Sequence, residues 1–335
     1  MLNKRSIISL ILILTIIITA VTGCSQNGSK TSGNETNSNG VPVVDYPTKS
    51  IELVVPFAAG GNVDLSARII GPEMEKALGE KVVILNKEGG GATIGQSYVA
   101  NSDPDGYTAI ALTSSYVTNI ILKGANFEVD SLEPIGMFTF DPEIMLVSAD
   151  SDLESLDQLI EKSKQEPLVH STPGHSTSHH IAGLILEDMV GAEFNYIHTN
   201  GSAEQTVQLA GGHAEIGLST YGGAASLIDQ GKIRVLAVAS EERMEVLPDV
   251  PTFKELGYDF LYGAWRGVAV PKGTPQEIKD ILGDAFETAM ASETVEGQFK
   301  NSGFPITYMN AEDFGKYIQD DYDNILSMKD ILEEN

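Results

Sequence analysis

Short β-branched segments alternate with longer stretches of helical periodicity along most of this chain, and the alternation limits the folds open to it. The segment Ile51–Val55 is typical of a buried strand, and the amphipathic pattern of residues 64–78 predicts a helix after it. Such alternation favours an α/β fold with mostly parallel sheets covered by helices on both faces. Strands are predicted at residues 51–55, 81–85, 107–112, 144–148, 168–171, 194–197, 214–218 and 234–239.

Three of the predicted strands end in turns rich in glycine and in hydroxyl or amide side chains, and a helix is predicted after each turn. These turns are residues 56–62, 172–178 and 199–202. The first N–H groups of a helix have no partner within it, and the aligned peptide dipoles place partial positive charge there. Glycine lets a ligand approach the backbone closely, and Ser, Thr and Asn add neutral hydrogen bonds. The turns therefore predict an anion site at the carboxyl ends of the strands.

The N-terminus has the pattern of an export signal with a lipid attachment site. Lys4 and Arg5 precede an apolar run over residues 7–20, and the sequence Val-Thr-Gly-Cys then ends at Cys24. A run too short to span a membrane comfortably predicts a secretory signal over residues 1–24. Lipidation would account for Cys24, the only cysteine; the alternative is a transmembrane anchor with an incidental cysteine. Residues 25–45, which begin with a polar stretch, are the predicted flexible linker to the folded body.

Acidic residues dominate the charge of the chain, with 47 Asp and Glu against 21 Lys and Arg and a formal net charge of −26. Such a field repels nucleic acid and anionic lipid headgroups, so both are excluded as partners. Acidity also keeps an exported protein soluble, which is the simpler interpretation. An anionic ligand would have to be held by local dipoles against this field.

A series of short motifs follows in a fixed order from Tyr46 to the C-terminus. The first spans residues 46–64 and contains Pro-Phe-Ala-Ala-Gly-Gly-Asn. Further motifs lie at residues 89–95, 104–108, 180–183, 211–215, 231–238, 247–252 and 271–275. In order and spacing the series resembles the tripartite tricarboxylate transporter substrate-binding family, the TctC/Bug-type extracytoplasmic solute receptors.

The resemblance implies a two-lobed periplasmic-binding-protein fold of type II character, each lobe a mixed, mostly parallel sheet flanked by helices. Lobe 1 would comprise residues 46–141 and 262–335, and lobe 2 residues 142–261, with crossings near Asp141 and Tyr262 where strands begin after turn-rich stretches. Members of the family deliver small carboxylates, such as tricarboxylates, dicarboxylates or acidic amino acids, to a membrane permease. The expected protein is then an exported monomer without a cofactor, attached to the membrane only through the lipid on Cys24.

The resemblance and the turns together predict the ligand-binding residues, with carboxylate oxygens held by backbone N–H groups of residues 58–62 and 174–177. The full set is Phe57, Ala58, Ala59, Gly60, Gly61, Asn62, Thr113, Thr172, Gly174, Ser176, Thr177, Thr199, Gly201, Ser219 and Arg266. Several positions depart from the family pattern. Asn62 stands where Ser is common, Ser176 where Gly is usual, and His175 where a small polar residue is usual. Residues 198–200 replace a common Pro-Tyr-Lys, and Ser219 and Thr220 stand where Asp and Asn are frequent. Loss of an acidic group at Ser219 hints at a ligand without an amino group.

Other interpretations of single residues stay open. His175, His179 and His180 could be polar residues near the cleft, ligand contacts or metal ligands, although no second motif has zinc-ligand spacing. Asp64 could act as a general base or balance a helix N-terminus. Arg266 could bind carboxylate bidentately or form a hinge ion pair.

Two further classes of function compete with a transport receptor. A secreted hydrolase would need a nucleophile and base, but the serines near histidines lack a Gly-x-Ser-x-Gly turn and no P-loop lysine pattern occurs. The chain is therefore expected not to be an enzyme. A sensor that presents its loaded lobes to a membrane kinase has the same sequence pattern as a transport receptor.

Overall fold

The computed structural model describes residues 44–333. The predicted signal segment, Cys24 and residues 25–43 of the predicted linker lie outside the described residues. Within the part of the chain that is described, no helix combines the length and the apolar character needed to cross a membrane.

Ten strands lie in the described residues. Seven of the eight predicted strands recur within two residues of their predicted bounds, and the exception is the fourth. The ninth and tenth strands were not predicted, although a strand was expected to begin near Tyr262, where the ninth strand starts. The strands are β1 Ile51–Val55, β2 Val82–Asn86, β3 Thr108–Thr113, β4 Leu132–Ser148, β5 Leu168–Thr172, β6 Phe194–His198, β7 Ile216–Thr220, β8 Ile233–Val238, β9 Gly263–Pro271 and β10 Met309–Asn310.

The helices between the strands are amphipathic and cover both faces of the sheet. Val63, Ala67, Ile70 and Met74 recur every three or four residues on the buried face of the first helix, and Gly79 ends it with a left-handed φ of 75°. The helices are α1 Asn62–Leu78, α2 Thr93–Ala100, α3 Ser115–Lys123, α4 Leu156–Ser163, α5 Ser178–Val190, α6 Ser202–Ala210, α7 Tyr221–Asp229, α8 Gln276–Met290, α9 Glu293–Ser302, α10 Ala311–Ser327 and α11 Lys329–Glu333.

The strands form one mixed sheet in the order β2-β1-β3-β9-β4-β7-β5-β6, with β8 and β10 also paired to β4. β1 pairs in parallel with β2 and β3, and β5 pairs in parallel with β6 and β7. The other pairings are antiparallel, and all of them involve β4 or β9. The α/β class and the mixed sheet are therefore confirmed, with a larger antiparallel share than the sequence predicts.

Strand β4 belongs to both halves of the sheet. Residues up to Pro142 pair with β9 and β10, which with β1, β2 and β3 make up the first half. From Glu143 onward β4 pairs with β7 and β8, which with β5 and β6 make up the second half. Alternate residues point to opposite faces, so Leu53 and Val54 belong to different hydrophobic cores. The residue-level division into two lobes stays a prediction.

The prediction for β4 itself is wrong at its start, since the strand begins at Leu132 and runs through Asp141 without a turn. Pro134 and Pro142 lack an amide donor and indicate turns in the sequence. In the structure the pairing with β9 shifts register between Pro134 and Gly136 and again between Met137 and Thr139. These irregularities let the strand continue past positions that would otherwise interrupt its hydrogen bonds.

Candidate ligand-binding site

Four helices of the described chain begin around one cavity between the two halves of the sheet. They are α1 and α3 from the first half, and α5 and α6 from the second. The residues that line the cavity are Phe57, Gly61, Asn62, Val63, Thr113, Ser114, Ser115, Pro173, Thr177, Ser178, His179, Ser202, Ala264 and Arg266. Most of its polar groups are neutral hydroxyls and amides at the first turn of a helix.

The four helices that start at the cavity have no side-chain cap of their own. Their N-cap residues are Gly61, Ser114, Thr177 and Gly201, and none of these side chains accepts from the following backbone amides. Helices α4, α9 and α10 are capped by Ser155, Ser292 and Asn310, whereas α2, α7 and α8 also lack a side-chain cap. Uncapped helix starts leave N–H groups available to an anion, and their dipoles add partial positive charge.

Hydrogen bonds between the two halves close the cavity. The Ala58 amide donates to the Asn200 carbonyl at 3.1 Å. The Asn62 amide donates to Ser202 Oγ, also at 3.1 Å. The remaining volume is about 40 Å³, far below the roughly 300–1,000 Å³ of typical ligand pockets. Entry of an organic ligand therefore requires the halves to separate.

A buried ion pair forms one wall of the cavity. Arg266 Nη1 donates to Asp141 Oδ2 at 3.2 Å, and Nη2 donates to Thr220 Oγ1 at 3.2 Å. Asn62 Nδ2 donates to the same Thr220 oxygen from the first half. Burial raises the pKa of Asp141 to about 6, while the Arg266 charge and hydrogen bonds act to lower it. Arg266 thus lines the cavity and forms the ion pair with Asp141, while its binding of a ligand carboxylate stays a prediction.

His179 is the histidine that reaches the cavity. Its Nδ1 lies 2.5 Å from Glu143 Oε1, and both side chains are buried. Because a carboxylate oxygen accepts, Nδ1 is assigned as the donor in this pair. His175 and His180 line a different cavity. No group of three or more His, Cys, Asp or Glu residues within 44–333 is arranged to hold a metal ion.

The family model of the tripartite tricarboxylate transporter family receptor, TctC, matches residues 66–334. The chain belongs to this receptor family. The periplasmic binding protein BugD is 30% identical with a TM-score of 0.82, and the match covers 85% of this chain and 98% of BugD. MatC from Rhodopseudomonas palustris with bound malate is 25% identical with a TM-score of 0.81, covering 86% of this chain and all of MatC. A second R. palustris protein, with adipate, is 26% identical with a TM-score of 0.82, covering 86% and 98%.

In this receptor, the cavity brings together six of the predicted site residues. They are Phe57, Gly61, Asn62, Thr113, Thr177 and Arg266. The other predicted residues do not line the cavity. They are Ala58, Ala59, Gly60, Thr172, Gly174, Ser176, Thr199, Gly201 and Ser219.

The two glycines predicted to admit a ligand have other roles in the receptor. Gly60 is exposed, and its amide donates to Asp64 Oδ2 at 2.8 Å. A Cβ atom at Gly60 would meet no other protein atom within 4 Å, so no protein contact requires a small residue at this position. Its φ of 83° is what requires glycine. A Cβ atom at Gly174 would lie 3.0 Å from Gly91 Cα in the other half. Neither glycine lines the cavity, and ligand approach at these two positions stays a prediction.

Three amides of residues 58–62 already have acceptors. Those of Ala58 and Asn62 donate to Asn200 and Ser202 of the other half, so they are not available while the halves are in contact. The Gly60 amide donates to Asp64 within its own half. Asp64 also accepts from Arg68 and Asn86. Burial tends to raise the pKa of Asp64, but these hydrogen bonds hold it below its ordinary value. The helix-balancing interpretation of Asp64 therefore fits its contacts.

Most of the remaining predicted residues shape the turns of the second half. Thr199 Oγ1 donates to the Thr172 and Gly201 carbonyls at 3.0 Å. Ser176 has a positive φ of 58°, and its Oγ bonds to His175 Nδ1 at 2.7 Å. Ser219 Oγ donates to the Thr220 carbonyl, so the neighbouring Thr220 side chain is the one that meets Arg266.

Several cavity residues are absent from the predicted ligand-binding set. Ser178 and Ser202 lie at the ends of the predicted turns and begin helices α5 and α6, and His179 was left open as one of three interpretations. Ser114 and Ser115 extend the hydroxyl run that starts at Thr113, and this run is a signal available in the sequence. The whole set of missed residues is Val63, Ser114, Ser115, Pro173, Ser178, His179, Ser202 and Ala264.

Proposed function

We propose that this solute-binding receptor captures a small dicarboxylate, tricarboxylate or related organic acid in the cavity and delivers it to a tripartite tricarboxylate-type membrane permease. The observation that carries the proposal is the meeting of four uncapped helix starts at one cavity. Such starts offer N–H donors and positive dipole ends, which suit carboxylate oxygens.

Local donors have to overcome an unfavourable overall field. The net charge of −26 repels an anion at long range. Hydrogen bonds to an ionised group contribute about 1.5–3 kcal/mol each, so a few short-range contacts offset a field that salt screens. Charge-assisted bonds from Arg266 would add to those of the helix starts.

The ligand would also stabilise contact between the halves. The cavity walls come from both halves, with Asn62 and Ser115 on one side and Ser178 and Ser202 on the other. A carboxylate that touches both walls binds the closed form better than the open one, and this difference in affinity drives closure. The permease would recognise the closed form.

The solved relatives narrow the ligand class. One contains malate and one contains adipate, and both are linear dicarboxylates. Ser219 stands where Asp is frequent in the family, so this position offers no acidic partner for the amino group of a ligand. We therefore expect dicarboxylates without an amino group to bind better than acidic amino acids.

The location proposed for the receptor follows from the N-terminal pattern. A signal over residues 1–24 and a lipobox ending at Cys24 would place the protein outside the cytoplasmic membrane, attached by lipid and working as a monomer. Replacing Cys24 by Ser should release the protein from the membrane fraction. Retention of the variant there would favour an uncleaved anchor.

Thermal unfolding against a carboxylate panel tests the ligand class. Malate, adipate, citrate and aspartate are compared with dimethyl malate, which has the same carbon skeleton without charge. A ligand at 100 times its dissociation constant should raise the unfolding free energy by about 2.7 kcal/mol. Stabilisation by dimethyl malate equal to that by malate would contradict carboxylate recognition. Delivery is tested separately, because uptake of labelled ligand into cells should require both the receptor and the permease.

A further inference from the structure

A second cavity lies behind the strand that carries Arg266. Successive residues of a strand point to opposite faces, so Trp265 faces away from the cavity that Arg266 lines. The second cavity has a volume of about 300 Å³, which is the lower end of the usual range for ligand pockets. Its walls include Phe140 and Tyr262 beside the strand pairing that joins the halves, and Tyr317 and Asp321 from helix α10.

Asp321 is a partly buried carboxylate without a cationic partner among the described residues. Trp265 Nε1 donates to its Oδ2 at 2.8 Å. Within residues 44–333, no Lys, Arg or His nitrogen lies within ion-pair distance of it. Burial raises the pKa of Asp321 to about 6, and the hydrogen bond from Trp265 acts to lower it. A partly buried carboxylate with one neutral donor is under-compensated, and a cation in the cavity would supply the missing charge.

Aromatic rings surround this carboxylate. The Trp265 and Tyr317 ring centroids are 6.4 Å apart and their planes are perpendicular, at 90°. Tyr262 lies close enough for the Asp321 charge to help raise the pKa of its hydroxyl, after the larger effect of burial. Aromatic faces attract cations, most strongly when the cation is an organic ammonium ion stripped of water.

We propose that this second cavity binds a small organic ammonium ion, with its charge beside the Asp321 carboxylate and next to the ring of Tyr317. The net charge of −26 favours such a ligand at long range, unlike the carboxylate of the first cavity. A divalent metal is a poorer fit, because it needs several oxygen ligands and Asp321 is the single carboxylate among the described lining residues. The proposal is independent of the ligand proposed for the first cavity.

Fluorescence gives a direct test, since Trp265 is the only tryptophan in the chain. The protein is titrated with tetramethylammonium chloride, and sodium chloride of equal ionic strength is the reference. We expect a saturable change in emission with the ammonium salt alone. Asp321→Asn keeps an acceptor for the Trp265 N–H and should weaken binding at least tenfold. Asp320→Asn, an exposed neighbour on the same helix, should leave binding unchanged.

A pH series on the unaltered protein needs no variant. Asp321 is mostly ionised at pH 7 and mostly protonated at pH 5, given its pKa of about 6. Ammonium affinity should therefore fall roughly tenfold from pH 7 to pH 5. An unsaturable response, equal affinity in Asp321→Asn, or affinity independent of pH would each overturn the proposal.

Discussion

The turns after β1 and β5 have similar sequences, but glycine has a different role in each. Gly60 in the first turn is exposed and has no atom within 4 Å of the position of a Cβ, so only its positive φ requires glycine. Gly174 in the second turn packs against Gly91 across the gap between the halves. In both turns the cavity is lined by residues on either side of these glycines, Phe57 and Asn62 in the first and Pro173 and Ser178 in the second. The comparison teaches that the glycines of a glycine-rich turn do not by themselves locate the cavity.

The largest effect on ligand binding is expected from a substitution at Gly91, which packs against Gly174 of the second turn. A Cβ atom there would lie 2.2 Å from the His175 carbonyl oxygen and 2.7 Å from Lys123 Nζ. Gly91→Ala should keep the halves apart and weaken malate binding at least 100-fold, or about 2.7 kcal/mol, as measured by calorimetry. Gly124→Ala is the matched control, because its φ of 56° is similar but no atom lies within 4 Å. Equal affinity in both variants would contradict a role of Gly91 in closure.

As the pH falls, the contribution of the second turn to folding stability should be lost before that of the first turn. The Ser176 amide donates to His180 Nδ1 at 3.2 Å, and burial together with nearby histidines lowers the pKa of His180 from 6.5 to about 2. The unfolded chain then binds a proton below pH 6.5 that the folded chain does not, so stability falls as the pH drops, by about 2 kcal/mol for this group at pH 5. Asp64 in the first turn has a lowered pKa, so its contribution is lost only below its ordinary value of 3.8.

Urea unfolding between pH 7 and pH 5 measures this difference. His180→Gln should make the pH dependence shallower, whereas His213→Gln, at an exposed position, should not alter it. A pH dependence that is the same in both variants would show that the second turn does not respond to acid through His180.

A smaller effect on ligand binding is expected where the end of the first turn meets the second half of the sheet. Ser202 Oγ accepts the Asn62 amide at 3.1 Å, which links the helix start after the first turn to the second half. Ser202→Ala should cost about 1 kcal/mol of closed-state stability and weaken ligand binding about fivefold, because the amide loses its acceptor. Ser226→Ala, an exposed control in the same half, should bind normally in calorimetry. Tighter binding by Ser202→Ala would show that Asn62 prefers the ligand as acceptor.

The smallest effect on binding is expected at Gly60. Alanine there has to adopt a φ of 83°, which costs about 1–2 kcal/mol in stability. Affinity for the ligand should not change, because the position faces away from the cavity. Melting temperature and calorimetry on Gly60→Ala separate the two quantities. A large loss of affinity with normal stability would indicate that Gly60 belongs to the binding site.

Local sequence patterns predict much of this fold because they reflect interactions between residues that are close together in the chain. The β-branched segments give the strand positions closely, and Thr113 and Thr177 were found because hydroxyl residues follow strands at the cavity. The length of β4 could not be predicted, since Pro134 indicates a break that register shifts against β9 remove. The roles of Gly174 and Thr220 depend on partners in the other half of the sheet, and one sequence does not reveal such distant contacts.

Strand β4 runs for 17 residues and is hydrogen bonded in both halves of the sheet. Because the halves share an unbroken strand, we expect the receptor to open by a change in the twist of that strand rather than by a swing on a loose linker. A few degrees of rotation between Phe140 and Glu143 would be enlarged at the distant turns. We therefore expect amide hydrogen exchange in β4 to stay slow with and without ligand, while exchange at the helix starts slows when ligand binds.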